Sequence, residues 1–568
     1  MRESGIIIWT DRFQCQRAFA GKAATAEKSV RAGRDERLFG APNRIVVSAG
    51  RLRSGMRVVS FAYDLRRPPR SSALMSTFNV DPNQTALRVF DSVRALAFVG
   101  DLSMGQPTDH SLRTGWLAAR LARAAGLDSQ ACDTVREVAL LRWSGCTANA
   151  SGFAEVFGDD IAVRLAMLEG RSDWAAPLEA LGGAASVMLP LAQTHCEVSG
   201  EIASMSGLSS MTQTSLRHIF ETWDGSGFPA KTAHESVPMP VFVVAVAGDL
   251  EIFSRTYGTE RALELIEQRS NSRYPTDLVG TAVRYASGWL DEAGRATLDD
   301  FDAALITPDM QRTTSAELVA DVIDLKLPWM TGFSRAVATT AAACCARLSL
   351  DQTAQIRVYQ AALIHGIGRA AVPNVVWNKR GTLAASAWEK IRLVPYWTAR
   401  AGRQTGALAE AAELASYAYE RQDGSGYFRG AAGRALTLEA RVLAASVVWV
   451  ALRSPRPWRD ALPADTARKI LREEVERGRL SDEVVDALMD PAPAGRRSAT
   501  RATQGARLSA REMDVLRMIS RGASNKEAAR ELAMSPSTVR THVESMFRKL
   551  DCSTRAAATL KASALGLL

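Results

Sequence analysis

The sequence predicts an all-α protein, on three observations. Alanine- and leucine-rich segments such as Leu112–Ala125 and Ala336–Leu348 place their apolar residues at helical spacing. One motif of the body occurs twice, because Asp224-Gly-Ser-Gly-Phe-Pro229 is matched by Asp423-Gly-Ser-Gly-Tyr-Phe428. The C-terminal segment, residues 508–568, carries the start signals of several short helices. Together these features predict two helical repeats in tandem followed by a small helical domain.

The helix starts of the C-terminal segment are marked by capping residues. Ser509-Ala-Arg-Glu512 and Ser524-Asn-Lys-Glu527 each fit a capping box, in which serine and glutamate bond each other's backbone N–H groups. Ser535-Pro536 fits a cap with proline at the first helical position, where no N–H partner is needed. In the helix that follows, one apolar stripe is predicted to pack inward, formed by Val539, Val543, Met546, Phe547 and Leu550.

Two short helices joined by a tight turn can place the second helix in the major groove of DNA. Charge pattern alone would favour a small bundle with a solvated face. The segment as a whole, however, resembles the LuxR-type (FixJ/NarL-like) DNA-binding domain. The matching anchors are Leu508-Ser-Ala-Arg-Glu512, Val515-Leu516, Gly522, Ser524-Asn-Lys-Glu527, Leu532, Ser535, Thr538-Val-Arg540, His542-Val543, Lys549-Leu550, Thr554-Arg555-Ala556 and Gly566-Leu567.

This resemblance implies which residues contact DNA. Arg540 and Thr541 stand where the family reads base edges, and an arginine suits O6 and N7 of guanine. Glu544 departs from the family at a position where some members carry a base-contacting lysine, so the recognised sequence stays open. The family binds inverted half-sites as dimers, with the last helix, about Ser553 to Leu565, as a common dimer contact. The remaining residues expected on this surface, mostly near phosphates, are Ser537, Thr538, His542, Asn525, Lys526 and Lys549.

The distribution of charge agrees with a DNA-binding tail. The whole chain carries a formal charge of +9, with +9 in residues 1–74 and +8 in residues 496–568, so the body between them carries −8. An acidic body with a basic tail is expected when only the tail meets phosphate.

Domain boundaries follow from shifts in composition. Residues 1–74 are arginine-rich and poorly periodic, and they are expected to be a disordered or mis-started leader, with Met75 or Met56 as the native start. The basic, small-residue stretch 491–507 is predicted to be a linker. The repeats are then placed at residues 75–308 and 309–490, and the DNA-binding domain at residues 508–568.

Composition also indicates where the protein works. Seven cysteines without a Cys-x-x-Cys pair fit a reducing compartment and argue against a thiolate zinc site. No apolar run approaches the roughly 18 residues of a spanning helix, so we expect a cytoplasmic protein without a membrane partner.

The repeats resemble the HD-GYP phosphohydrolase domain, most specifically in the second copy. Ala361–Arg369, Val372-Pro373, Asn378-Lys379 and Gly381–Leu383 follow its metal-binding helix and the loop after it. The repeated turns follow its Gly-Tyr-Pro motif. In that family this loop meets substrate, whereas a purely structural turn is favoured here. The loop residues are Asp224, Gly225, Gly227, Phe228 and Pro229 in the first copy and Asp423, Gly424, Gly426 and Tyr427 in the second.

In that family, hydrolysis of a cyclic dinucleotide needs several metals, usually iron or manganese, held by histidines and aspartates. Here most of those positions carry other residues. The second copy keeps only His365, and its other positions are Phe333, Gly366, Val394, Ala418, Tyr419 and Val447. The first copy keeps His110 and His195, and its other positions are Arg142, Trp143, Ile219, Phe220 and Gly248, with Asp249 one place late.

A site that lacks its bridging carboxylate leaves a hard cation undercoordinated. We therefore expect no catalytic residue, no bound metal and no cofactor, with His365 a satisfied core residue. The alternative is a weak single-metal site of His110, His195 and Asp249. The apolar replacements predict that both ligand clusters have become packed core.

The sequence thus predicts a DNA-binding transcriptional regulator whose degenerate HD-GYP-like body senses a ligand or a partner. Its expected partners are double-stranded promoter DNA, a second copy of the chain, and an effector or protein whose identity stays open. The alternative is a metal-dependent cyclic di-guanylate phosphodiesterase with an attached DNA-binding domain. A third hypothesis makes the body a scaffold for another signalling enzyme.

Overall fold

The computed structural model describes residues 47–51, 57–61, 85–489 and 508–568. The predicted leader and linker therefore lie outside the described residues, apart from strands β1 (Val47–Arg51) and β2 (Arg57–Phe61), which pair antiparallel. Residues 85–489 and 508–568 belong to one compact unit. Helices dominate that unit, and the prediction of an all-α fold is confirmed.

The first repeat contains twelve of the described α-helices. They are α1 (Val89–Ser103), α2 (His110–Ala124), α3 (Ser129–Leu141), α4 (Ala150–Phe157), α5 (Asp160–Leu168), α6 (Ala176–Ala180), α7 (Ala184–Met205), α8 (Ser210–Arg217), α9 (Met239–Tyr257), α10 (Thr259–Glu267), α11 (Thr276–Arg295) and α12 (Leu298–Leu305). Short 3₁₀ turns lie at Ser144–Cys146, Asp173–Ala175 and His234–Ser236. Strand β3 (Leu87–Arg88) pairs with β4 (Thr313–Thr314), which follows a 3₁₀ turn at Asp309–Gln311 and leads into the second repeat.

The second repeat is built in the same way. Its helices are α13 (Glu317–Asp324), α14 (Phe333–Arg347), α15 (Gln352–Ile364), α16 (Asn374–Asn378), α17 (Ala385–Arg392), α18 (Val394–Thr405), α19 (Ala409–Ala415), α20 (Leu438–Arg453), α21 (Ala464–Glu476) and α22 (Asp482–Met489). Its 3₁₀ turns lie at Pro328–Met330, Ile367–Ala371, Gly406–Leu408 and Gly433–Ala435. The C-terminal domain follows with α23 (Ala510–Ser520), α24 (Asn525–Glu531), α25 (Pro536–Leu550) and α26 (Arg555–Ala564).

One buried pair marks the same place in both repeats. The Asp101 carboxylate near the end of α1 accepts hydrogen bonds from Oγ and N of Ser111 on α2, at 2.6 and 3.1 Å. The Asp324 carboxylate at the end of α13 accepts from Oγ and N of Ser334 on α14, at 2.7 and 2.8 Å. Because a buried carboxylate is costly without such donors, these bonds fix how each first helix meets the next.

The repeats meet along α1, which packs on α13, α18 and the 367–371 turn. A buried ion pair closes the junction at its side. Nζ of Lys326 lies 3.0 Å from Oδ2 of Asp160, and the backbone N–H of Asn374 donates to Oδ1 of the same aspartate at 2.7 Å. Removing one partner of a buried pair strands the other charge, so this contact favours one relative placement of the two repeats.

The C-terminal domain forms as its capping residues predict. Both capping boxes, Ser509–Glu512 and Ser524–Glu527, are present, and the Ser535 side chain accepts from the backbone N–H of Thr538. The predicted apolar stripe is also confirmed. Val539, Val543, Met546 and Leu550 are buried, and Phe547 packs beside them.

Among the described residues, no single helix is both long and apolar enough to cross a bilayer. One pair of segments, Asp173–Ala180 with Ala184–Met205, is long and apolar enough only when the two are taken together, and the pair is bent by 107°.

Candidate nucleic-acid interface and metal-ligand positions

The outer face of α25 is open to solvent and carries the residues predicted to read bases. Arg540 and Glu544 are 75% and 62% exposed, and Thr541 beside them is also exposed. Nε of Arg540 donates to Oε1 of Glu544 at 2.8 Å. An exposed ion pair one helical turn apart is weak, so the guanidinium can exchange this carboxylate for an acceptor on a base. Glu544, the residue that differs from the family, therefore orients the Arg540 side chain in this structure.

The residues predicted to lie near phosphates divide into two groups. Lys526, Ser537 and Thr538 are exposed, and His542 is half-buried. Two others are held within the domain: Oδ1 of Asn525 accepts from Nη2 of Arg555 at 2.8 Å, and Nζ of Lys549 lies 2.7 Å from Oε2 of Glu512.

The ion pair between Lys549 and Glu512 holds the lysine within the domain and also stabilises the domain. Burial alone would raise the pKa of Glu512, but hydrogen bonds from Lys549, Ser509 and Ser545 hold it at about 2. The carboxylate therefore stays charged and ties α25 to the start of α23.

We call the residues at the HD-GYP ligand positions of the first repeat the first cage. At its centre is the Arg142 guanidinium, whose Nη2 lies 2.8 Å from Nε2 of His110. A guanidinium only donates hydrogen bonds, so Nε2 accepts and the ring proton is on Nδ1, which donates to Oε2 of Glu251 at 2.5 Å. Burial lowers the pKa of His110 and keeps the ring neutral. The ring lone pair that would bind a metal is thus used by the arginine.

Gly248 makes room for this arginine. A Cβ at position 248 would lie 1.5 Å from Nη1 of Arg142, so no other residue fits there without displacing the guanidinium. The neighbouring Asp249 bonds Tyr274 and Nε of Arg273 instead, the latter at 2.9 Å. Burial lowers the pKa of Arg142 to about 10, which still leaves it charged at neutral pH.

His195 is fully buried beside the first cage on α7. Its Nε2 donates to the Arg142 carbonyl at 2.8 Å, and its Nδ1 lies 3.6 Å from Sγ of Cys146. Phe220 packs on the ring with centroids 4.7 Å apart. Burial lowers the pKa of His195 to about 3, so it stays neutral and anchors α7 to the end of α3.

The second cage, at the corresponding positions of the second repeat, holds an arginine too. Nη2 of Arg369 lies 2.6 Å from Nε2 of His365, whose Nδ1 donates to the Ala362 carbonyl at 2.6 Å. Nη1 of Arg369 lies 3.4 Å from Oδ1 of Asp324, and the guanidinium is 5.2 Å from the Phe333 ring centroid. Burial lowers the pKa of His365 well below its usual value.

The donor sets of the two cages do not fit a metal centre. Over residues 85–489 and 508–568, no three His, Cys, Asp or Glu side chains converge in a metal-holding group. Each cage places a guanidinium against the histidine nitrogen that would coordinate the ion, and like charge repels a cation. The sequence predicted packed core at these positions from their apolar replacements, and the structure adds that each cage also contains a buried arginine. In the sequence Arg142 stood only as a replaced ligand position and Arg369 only as a residue of the matched motif, and neither was predicted to lie against a histidine.

The two glycine turns are nearly identical. Gly225 and Gly424 have φ of +75° and +76°, and a Cβ at Gly227 or Gly426 would lie within 2.5 Å of backbone atoms. Asp224 and Asp423 each accept from the N–H two residues on, at 2.9 Å. The last positions differ: Phe228 precedes Pro229 in the first turn, whereas Tyr427 stacks on Tyr419 in the second.

Helix α26 of the C-terminal domain packs against both repeats, on α7 of the first and α13 of the second. The Glu197 carboxylate accepts from N and Oγ of Ser553, at 2.5 and 3.0 Å. Nζ of Lys561 lies 3.0 Å from Oε2 of Glu201, and the side chain of Gln193 donates to Oγ of Ser553 at 3.2 Å. All three body residues lie on α7.

A second contact involves the end of α23. Oγ1 of Thr331 donates to the Ser520 carbonyl at 2.7 Å. Gly522, with φ of +90°, lies close to Pro328, such that a Cβ there would approach the proline ring at 3.1 Å.

Two segments of the chain match known protein families. Residues 317–484 match the HD domain family, and residues 506–562 match the luxR family of bacterial regulatory proteins. Over 406 residues, the chain is 24% identical to the 3'3'-cGAMP-specific phosphodiesterase 3 of Vibrio cholerae serotype O1, covering 66% of this chain and 88% of that protein. Over 61 residues, it is 49% identical to the probable transcriptional regulatory protein NarL of Mycobacterium tuberculosis, covering 11% of this chain and 28% of that protein.

A solved structure supports the fold of the body. The crystal structure of a cyclic GMP-AMP specific phosphodiesterase of Vibrio cholerae matches with a TM-score of 0.52 at 21% identity, covering 71% of this chain and 97% of that one. The chain therefore carries a segment similar to the HD domain family, within a body whose fold resembles that of a solved phosphodiesterase, followed by a C-terminal segment similar to the luxR family of bacterial regulatory proteins.

Proposed function

We propose that this protein is a DNA-binding transcriptional regulator whose two repeats sense a ligand or partner and do not hydrolyse a cyclic dinucleotide. Promoter DNA and a second copy of the chain are its proposed partners. A ligand that prefers one arrangement of the repeats would shift the population of chains and change how two C-terminal domains are presented to paired half-sites.

The observation that carries the DNA-binding half is the exposed face of α25. Arg540 and Thr541 are exposed on a helix whose opposite face is buried in the core of the domain. The basic residues cluster at this end of a chain whose body is acidic. This combination suits an electrostatic contact with phosphate and base reading by a small number of side chains.

The observation that carries the non-catalytic half is the guanidinium in each cage. A catalytic metal activates water and clamps phosphate oxygens, and both tasks need several open ligand positions around the ion. In the first cage the space at Gly248 is filled by Arg142, and in the second Arg369 bonds the remaining histidine.

A metal-dependent phosphodiesterase is the second candidate, because the Vibrio cholerae relative that covers 66% of this chain is named a 3'3'-cGAMP-specific phosphodiesterase. Metal analysis and hydrolysis by protein purified without oxygen distinguish the two. We expect substoichiometric iron and manganese and no cleavage of 3'3'-cGAMP or cyclic di-guanylate. Stoichiometric metal, with cleavage that is lost in both His110→Ala and His365→Ala variants, would establish the phosphodiesterase instead.

The DNA-binding proposal is tested by selecting duplexes from a random library with the full chain and footprinting the product. Arg540→Ala is expected to weaken binding to the selected site by about 1–3 kcal/mol, because an arginine that bonds a guanine edge contributes that much. Unfolding of the body should not change. Arg261→Ala, at an exposed ion pair on α10, is the matched control and should bind as the unaltered chain does. Recovery of no preferred sequence would refute the proposal.

A further inference from the structure

We infer that the surface formed by α7 and α13 is a docking site for α26, and that docking prevents α26 from pairing two C-terminal domains. The inference rests on the proposed function, because it concerns how the proposed DNA-binding dimer forms. It goes beyond that function in naming the surface, its occupant and the step that is controlled.

The burial of α26 supports this inference. A helix on the outside of a small domain buries one face and exposes the other. In α26, however, residues of every face are buried between positions 557 and 563, with only Lys561 half-exposed. One side packs on α23 and α25 of its own domain, and the remaining side is covered by α7 and α13. A helix covered on both sides has no free face for a second copy of the chain.

The contact at the start of α26 is polar and specific. The two groups of Ser553 that bond Glu197 lie just before Thr554, the N-cap of the helix, so the carboxylate sits at the positive end of the helix dipole. Glu197 and Glu201 are both buried. Buried carboxylates need partners, and each has one in the C-terminal domain.

The same two helices also reach the cages. Glu197 lies two residues from His195, which bonds the carbonyl of Arg142 beside the first cage. Helix α13 ends in Asp324, which bonds Arg369 in the second cage. One helix from each repeat therefore connects a cage to α26. A change in either cage that moves its helix would alter the docking surface.

The docked position leaves the base-reading face uncovered. Arg540 and Thr541 are exposed while α26 is docked. The controlled step is therefore the pairing of two domains, and access of a single domain to DNA is not blocked. A single domain can bind phosphate weakly, whereas strong binding to an inverted site requires two.

The full chain with Glu197→Ala tests this, and Lys561→Met tests the second polar contact of the surface, in which Lys561 pairs with Glu201. Both should release α26, because Glu197→Ala removes the acceptor of both Ser553 groups, and Lys561→Met removes the partner that Glu201 has in the C-terminal domain and leaves it with Arg217 of the body. We expect backbone amide exchange at residues 557–562 to accelerate about tenfold, and self-association by sedimentation to rise about tenfold. Binding to a random-sequence duplex at low salt should stay within about twofold for Glu197→Ala, since α25 is unaltered.

Glu292→Ala is the matched control, because Glu292 forms an ion pair with Arg120 on α2 and lies on α11, away from the C-terminal domain. It should leave exchange and association unchanged. The inference is overturned if Glu197→Ala and Lys561→Met behave as Glu292→Ala does in both measurements. If no form of the chain binds DNA, the proposed function fails, while exchange and association still report whether docking exists.

Discussion

The two repeats hold the same chemical group at their centres but supply it from different places in the sequence. In the first, Arg142 itself stands at the C-cap of α3, and its histidine partner comes from α2. In the second, the histidine stands at the C-cap of α15, and Arg369 comes from the 3₁₀ turn after it. In both, a guanidinium N–H meets the Nε2 atom of a neutral, buried histidine.

The two cages share a buried positive charge, although the arginine that carries it comes from a different backbone position in each repeat. Each cage has a buried aspartate behind it, Asp101 or Asp324, held by a serine from the following helix. Burial raises the pKa of Asp324 to about 6, while Arg369 and Ser334 limit the rise. Arg142 likewise opposes the large rise that burial causes in the pKa of Asp101. The positive charge of a guanidinium balances the negative charge of these carboxylates, as a metal cation would. Unlike a metal ion, a guanidinium has no coordination position at which it could activate a water molecule.

Deleting the arginine is the strongest way to break this comparison. Arg142→Ala should lower the free energy of unfolding by about 3–5 kcal/mol, because it leaves Nε2 of His110 and the Val244 carbonyl without this donor and the buried Asp101 without a nearby cation. Arg369→Ala should also be destabilising, because it leaves Nε2 of His365 and the buried Asp324 carboxylate without this cation. Urea titrations of the full chain measure both variants. Arg261→Ala, on the surface, is the control, and equal losses for Arg142 and Arg261 would contradict the central role of the guanidinium.

The next test uses the position that differs most between the cages. Gly248→Ala should destabilise the first repeat by about 1–3 kcal/mol, because its methyl group would overlap the buried guanidinium. In the second repeat the matching residue is the buried Val447, and Val447→Ala should cost about 1–2 kcal/mol by the opposite route, a cavity.

A double variant separates overlap from any general intolerance at this position. In a chain that already carries Arg142→Ala, Gly248→Ala should lower the free energy of unfolding much less than it does in the unaltered chain. The methyl group then occupies space that the guanidinium has left. Thermal or urea unfolding of the two single variants and the double variant gives the interaction energy. Strict additivity of the two losses would show that the arginine is not what excludes a side chain at position 248.

Local signals in the sequence predicted most of the fold. Capping boxes depend on residues three apart, and those at Ser509 and Ser524 formed as the spacing indicated. The helical stripe of α25 likewise depends on a single period. The repeated turn was visible because its glycines at 225 and 424 require a positive φ that other residues avoid.

The centres of the cages could not be predicted in the same way. A long side chain can reach a buried point from several backbone positions, so alignment of ligand positions does not show which residue fills the space. Position 248 counted as a lost ligand in the sequence, whereas in the structure its missing side chain is what admits Arg142. The docking of α26 on α7 joins residues more than 350 positions apart, such as Ser553 and Glu197, and no local pattern encodes that contact.

The smallest expected effect concerns a buried histidine of the first repeat, His195, that has no counterpart at the matching position of the second repeat. Burial lowers the pKa of His195 from the usual 6.5 to about 3, and the matching residue in the second repeat is Val394. In the unfolded chain, the ring of His195 is therefore protonated as the pH falls below 6.5. In the folded chain the same ring stays neutral down to about pH 3. The stability that neutral His195 contributes is present above pH 6.5 and is lost as pH falls, by about 1.4 kcal/mol per pH unit.

His195→Gln isolates this contribution, because other groups titrate alike in both chains. Asp324 acts in the opposite direction: its raised pKa of about 6 means that stability is lost as pH rises between about 4 and 6. Urea unfolding of both chains is measured at about pH 7, 6 and 5. The contribution of Asp324 is the same in both chains, so it cancels when one free energy of unfolding is subtracted from the other. The gap between them should narrow by about 1 kcal/mol per unit below pH 6.5. Parallel curves would mean that His195 titrates normally, and that its bonds to Arg142 and Cys146 do not hold it neutral.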